Sequence, residues 1–217
     1  MIGRHDFARA VTLSLCALAA LFWLGCGATA RGETFARAAA SAIGAMGDEM
    51  QRTVLVPGFS EAERGRGFAL ILSRHFDMAA IARQSLGYHW SAATPEQRRE
   101  FTELFTTMWV KDYGGMMRAD LALPFSVTGQ RDEGPRAALV LSQLGQRTDP
   151  DFLRIDWRMQ LAEDGQPRII DVIVSGVSLV RSGQEDFDAS IRQSGRGMEG
   201  LLQLLRTKYA TPTAMPK

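Results

Sequence analysis

Apolar positions recur with two different periods along this chain, and the changes of period divide it into three parts. In the first part the spacing is helical. Phe35, Ala38, Ala39, Ala42, Ile43, Met46 and Met50 fall on one helical face and predict a helix from near Glu33 to about Thr53. Pro57-Gly58 punctuates the chain. Ser60-Glu61-Ala62-Glu63 has the capping-box form and opens a second helix with Phe68, Ile71 and Leu72 on its apolar side. Asp77 caps a third, from Met78 to Leu86, stopped by Gly87. The clearest helix starts at Thr94, with Pro95 at its first position and Gln97 completing a capping box. Its stripe runs through Phe101, Leu104, Phe105, Met108, Trp109, Asp112 and Met116, with Tyr113 at the edge.

The period then drops to two. Phe125, Val127 and Gly129 begin a strand; Ala138, Val140, Ser142 and Leu144 mark another, with Leu139 and Leu141 on its other face. Leu153, Ile155, Trp157, Met159 and Leu161 alternate with Arg154, Asp156, Arg158 and Gln160, which predicts one dry and one wet face. Asp164-Gly165 signals a hairpin, after which Ile169 to Val174 is apolar on both faces except for Asp171. After Val180 helical spacing returns, through Phe187 and Ile191, an interruption at Gly195 and Gly197, and Met198, Leu201, Leu202, Leu204 and Leu205. Helices, then strands, then helices predict an α+β domain rather than alternating βαβ units.

The ends stand apart from this pattern. Arg4 and Arg9 precede an apolar run from Ala10 to Gly25, and Ala28-Thr29-Ala30 supplies small residues at the spacing of a signal-peptidase site. The run is shorter than the roughly 20 residues of a spanning helix. The expected division is therefore 1–30 signal peptide, 31–210 one domain, and 211–217 a flexible tail. Leu24-Gly25-Cys26 faintly resembles a lipoprotein cleavage site, so lipidation of Cys26 stays open beside simple cleavage near Ala30. Both cysteines, Cys16 and Cys26, lie in this leader, which leaves the domain without a disulfide, thiolate ligand or thiol nucleophile. Removing Arg4, Arg9 and Asp6 balances the charges of the remainder, which argues against a nucleic-acid partner.

Catalytic signatures do not occur. The chain holds no HExxH, no Gly-x-Ser-x-Gly elbow and no Walker loop. His89 as a base and Asp171 as a buried acid are the candidates for chemistry; against them, His89 reads as a helix-end residue with one hydrogen bond and Asp171 as a structural carboxylate. The expectation is a non-enzyme with no cofactor and no metal. On pattern alone the apolar stripe and the dry sheet face read as an ordinary core ahead of a ligand cavity.

Phe76-Asp77-Met78-Ala79-Ala80-Ile81-Ala82-Arg83-Gln84-Ser85-Leu86-Gly87-Tyr88-His89-Trp90, followed by Thr94 to Phe101, Phe105 and Tyr113, resembles the MlaC family of periplasmic phospholipid carriers, also called the toluene-tolerance auxiliary family. Trp157-Arg158, the run Ile169 to Val180, and Phe187, Ile191, Gly195, Leu201, Leu202 and Leu205 extend the likeness over roughly residues 35–208. The chain departs from the family pattern at Ile170, where an aromatic is usual, and at His89. The resemblance implies a twisted antiparallel sheet of about four strands wrapped by helices, partly NTF2-like, with an apolar cavity between sheet and helices. It implies a periplasmic monomer that carries phospholipid between an outer-membrane lipoprotein complex and an inner-membrane ABC transporter. A hopanoid ligand, as in the HpnM branch, is the first alternative; an adaptor with a solid core, or an NTF2-like enzyme, is the second. On this reading Phe105, Met108, Trp109, Val140, Ile155, Trp157, Val172 and Val174 form the cavity wall, and Tyr113 stands at its rim.

Overall fold

The computed structural model describes residues 29–117 and 123–209. Residues 1–28 of the expected leader, with Cys16 and Cys26, and the tail 211–217 lie outside the described residues. The helices are α1 (Thr29–Thr53), α2 (Glu61–His75), α3 (Met78–Leu86), α4 (His89–Ala92), α5 (Pro95–Met116), α6 (Leu179–Ser194) and α7 (Gly197–Tyr209). The strands are β1 (Phe125–Gly134), β2 (Ala137–Leu144), β3 (Leu153–Leu161), β4 (Pro167–Val174) and the two-residue β5 (Val177–Ser178). The architecture is α+β, a five-stranded antiparallel sheet packed against seven helices among the described residues.

Local chemistry sets the helix ends where the sequence pattern places them. Ser60 accepts from the Glu63 amide while the Glu63 carboxylate accepts from the Ser60 amide at 2.7 Å. Thr94 and Gln97 make the same reciprocal pair at the start of α5. Asp77 accepts from the Ala80 amide at 2.8 Å, and Gly87, at φ 57° and ψ −133°, takes a positive-φ conformation open to glycine that ends α3. Each cap satisfies backbone donors that the helix itself leaves without partners.

The sheet is a plain meander in the order β1-β2-β3-β4-β5, every neighbour antiparallel. Registers Val140↔Trp157↔Val172 and Ser142↔Ile155↔Val174 align the inward side chains across the three central strands. Trp157 and Ser142 are the inward residues of this group with polar side-chain atoms to place on the dry side, and they satisfy each other. The Trp157 Nε1 donates to Ser142 Oγ at 2.8 Å, and Ser142 in turn donates to the Ile155 carbonyl at 2.6 Å. The outer face is less wet than alternation predicts. Arg154 and Gln160 are exposed, but Asp156 is buried between Leu141 and Ile173 of the flanking strands and pairs with Arg154 at 3.3 Å.

On the inner face α1 lies along β1 and β2 and reaches β3 and β4, while α3 and α6 pack on β4. The α2–α3 corner is fastened to the sheet directly: the Asp77 amide donates to the Ile169 carbonyl at 2.9 Å beside a bridge from Phe76 to Ile169. α5 forms a second layer against α2, α3 and α7. α2 approaches the end of α1 through Gly67, where an added Cβ would overlap the Thr53 carbonyl oxygen and stand 3.2 Å from Val54 Cγ2. Gly67→Ala should therefore destabilise by about 1–3 kcal/mol through overpacking, reversing the gain of about 1 kcal/mol that helix propensity alone predicts. Urea denaturation midpoints would show which sign holds.

Candidate functional site

Between the sheet and the first helical layer the packing opens into a cavity of about 510 Å³. One wall is the sheet end, built from Phe125, Leu144, Leu153, Ile155, Trp157, Val172 and Val174, which the antiparallel registers bring to one face. α1 contributes Met46, Gly47, Met50 and Gln51 from successive turns, with Leu55 just beyond its end. α2 adds Phe68 and Ile71, and Phe76 enters from the corner. Trp109 and Tyr113 of α5, Met117 after it, and Leu179 at the start of α6 complete the lining.

The lining carries no ionisable acid, lysine, arginine or histidine, and Gln51 and the Tyr113 hydroxyl are its polar side-chain groups apart from the indole nitrogens. Tyr113 is partly buried, and that burial, with Asp112 next in effect, pushes its phenol above the ordinary range. It stays neutral and amphipathic. Phe76 spaces the two walls. Its ring meets Trp109 edge-on at 6.0 Å and Trp157 edge-on at 6.5 Å, so one aromatic from each layer closes on it.

Six of the nine residues assigned to the site from sequence lie in this lining: Trp109, Tyr113, Ile155, Trp157, Val172 and Val174. Phe105, Met108 and Val140 do not. Phe105 is spent on an aromatic cluster, stacked on Phe101 at 5.6 Å and edge-on to Phe187 at 6.0 Å, which joins α5 to α6. Val140 is fully buried on β2, a strand that α1 packs against, and Met108 packs against the core from the same face of α5. The α1 and α2 residues were absent from that assignment, although their helical spacing marked them as inward.

The two candidates for chemistry sit elsewhere. His89 Nε2 is 2.9 Å from Asp188 Oδ1, and Asp188 also accepts from the Tyr88 hydroxyl at 2.7 Å and pairs with Arg192. Asp171 is a structural carboxylate. It accepts from Arg158 at 3.2 Å, Ser178 at 2.7 Å and the Val180 amide at 3.2 Å, which ties β4 to the start of α6. Neither lines the cavity. Among the described residues no group of three or more His, Cys, Asp or Glu is placed to hold a metal ion. None of the described helices is long and apolar enough to cross a membrane.

A dry chamber of this size, lined by aromatic, Met and branched aliphatic side chains, defines a binding protein for an apolar ligand. The model of the MlaC protein family matches residues 42–207, and the chain belongs to that family, whose proteins are periplasmic, non-catalytic, lipid-binding carriers. The fold is similar to that of a phospholipid-binding protein from Ralstonia solanacearum, solved in complex with a phospholipid, at TM-score 0.69 and 20% identity, covering 79% of this chain and 97% of the other. The comparison with curated proteins finds no match.

The α1–α2 wall of the cavity is clasped on its outer side by Glu49, which meets His75 Nε2 at 2.8 Å and also pairs with Arg74. The His75 hydrogen bond first, then Arg74, hold the Glu49 carboxyl below its ordinary 4.5 against an opposing effect of burial. A depressed carboxylate stabilises the fold above its unfolded pKa and loses that contribution as pH falls through the folded one. Stability should therefore decline as pH drops below 4.5, and Glu49→Gln should flatten part of that acid limb while costing no more than about 1 kcal/mol at pH 7. Thermal melts between pH 3 and pH 7 measure both, and an unchanged acid limb would remove Glu49 from the clasp.

Proposed function

We propose that this protein ferries phospholipid through the periplasm, between an outer-membrane lipoprotein complex and an inner-membrane ABC transporter, with the acyl portion held in the cavity between sheet and helices. The observation that carries this reading is the 510 Å³ chamber whose wall offers contact without charge. The phospholipid bound by the Ralstonia protein of the same fold supports the choice of ligand.

The physical task is to hide methylenes from water. Each exposed methylene costs about 0.8 kcal/mol, so a sixteen-carbon chain in water lies on the order of 12 kcal/mol above one in a bilayer. A cavity lined by Trp109, Trp157, Phe76 and Met46 replaces the bilayer without any bond being made or broken. Apolar contact is non-directional, so the wall discriminates poorly among chains of similar length. The head group stays at the mouth, near Tyr113 and Gln51, the polar side chains of the lining.

Lipid extraction and mass spectrometry of protein purified from the cell envelope test the reading. Stoichiometric phospholipid is the expected result, recovery of a hopanoid would transfer the chain to the alternative ligand, and recovery of no lipid would sink the proposal. Val174→Trp fills the lining and should lower bound lipid about tenfold, which corresponds to excluding about two methylenes. Met108→Leu, placed outside the lining and conservative in volume, should leave loading unchanged.

A further inference from the structure

Arg64 is a cation standing just beyond an uncharged lining. On α2, Gly65 faces α5 at Val110 and Gly114, and Gly67 faces the end of α1 at the Thr53 carbonyl. Phe68 and Ile71 point between those neighbours, into the cavity. At about 3.6 residues per turn, Arg64 falls between Phe68 and Ile71 in angle, one turn nearer the start of the helix. It therefore stands over the end of the chamber where Gln51, Leu55, Tyr113 and Met117 form the lining.

The guanidinium is engaged on one side. Its Nη1 donates to the Phe59 carbonyl, a neutral acceptor, while its Nε is buried and has no hydrogen-bond partner. Glu63, the adjoining acid, is turned back onto Ser60 by the capping box. No carboxylate among the described residues pairs with Arg64. A buried charged donor without an acceptor is costly, and an arriving anionic oxygen removes the deficit. Geometry selects the anion. With Nη1 held at Phe59, Nε and Nη2 remain side by side as a two-donor fork, which matches two oxygens of a phosphate. A glycerophospholipid carries its phosphate only a few bonds beyond the esters of its chains. Chains packed against Phe68 and Ile71 thus leave the phosphate about one helical turn out, roughly 5 Å, at the level of Arg64.

We propose that Arg64 is the head-group anchor, its Nε–Nη2 edge binding the lipid phosphate while the Phe59 carbonyl steadies Nη1. The inference rests on the cavity being a phospholipid site, and it adds a selectivity that the apolar wall lacks. The wall accepts any chain of suitable length; Arg64 requires that the chain be attached to a phosphate.

Two lipids with the same chains separate the anchor from the wall. Dipalmitoyl phosphatidylglycerol carries a phosphate and dipalmitoylglycerol does not. Uptake of each by the delipidated full chain is measured by native mass spectrometry. Arg64→Met, which keeps an unbranched apolar stem, should lower phosphatidylglycerol uptake about tenfold and leave dipalmitoylglycerol uptake unchanged. Arg64→Lys, a charge without the fork, should fall between the two. An equal loss of both lipids in Arg64→Met would make Arg64 a strap for the α1–α2 connection and overturn the anchor, as would unchanged uptake of both. Thermal melts of the lipid-free protein address the other source of the same chemistry. Millimolar inorganic phosphate that raises the Tm of the parent protein but not of Arg64→Met would mark a free-phosphate site and overturn the lipid assignment; no such shift is expected. If the parent protein takes up neither lipid, the cavity is not a lipid site and the underlying reading fails instead.

Discussion

Holding two greasy surfaces apart is the constraint on which this structure turns. Side chains around a chamber of 510 Å³ lack the neighbours that a solid core would give them, so collapse of the layers onto each other is favoured unless something holds them apart. Stiff parts must resist collapse. Phe76 does so by wedging its ring between Trp109 and Trp157, and the Asp77–Ile169 hydrogen bond fixes the wedge to the sheet. Satisfied polar atoms behind the wall matter equally. Without Ser142, the Trp157 indole would carry a buried donor in need of a partner.

The division between a dry interior and a charged exterior follows from the same arrangement. The carboxylates of Glu49, Asp171 and Asp188 lie away from the cavity lining, where they fasten α1 to α2, β4 to α6, and the α3–α4 turn to α6. The elements are therefore pinned at points off the chamber, and its wall is left to contacts that have no preferred direction. Such a wall recognises shape and length, and the fit is governed by which elements can move.

Local signals in the sequence located the elements well because caps act within three or four residues. Ser60 with Glu63, Asp77 with Gly87, and Thr94 with Gln97 mark the same boundaries in sequence and structure. β3 spans the stretch its alternation predicts, Leu153–Leu161. The lining was only partly legible. Periodicity says that Phe105 and Trp109 both face inward, yet Phe105 is enclosed by Phe101 and Phe187 while Trp109, beside its contacts with Phe76 and Tyr113, borders the cavity. Whether an inward side chain finds a neighbour or a void depends on how far a layer is offset from the next, which no single element encodes. Asp156 failed for a related reason: alternation placed it in water, but Leu141 and Ile173 on adjoining strands enclose it.

The dependence of α1 on β1 and β2 also bears on how the molecule assembles. Those strands begin at Phe125, some seventy residues after α1 ends at Thr53, whereas the meander joins only consecutive strands by short turns. Closing a long loop is slower than zipping neighbouring hairpins. Loop-closure entropy thus weighs more heavily on laying α1 on β1 than on pairing the strands, while the contact of α1 with α2, its near neighbour in sequence, forms at little entropic cost.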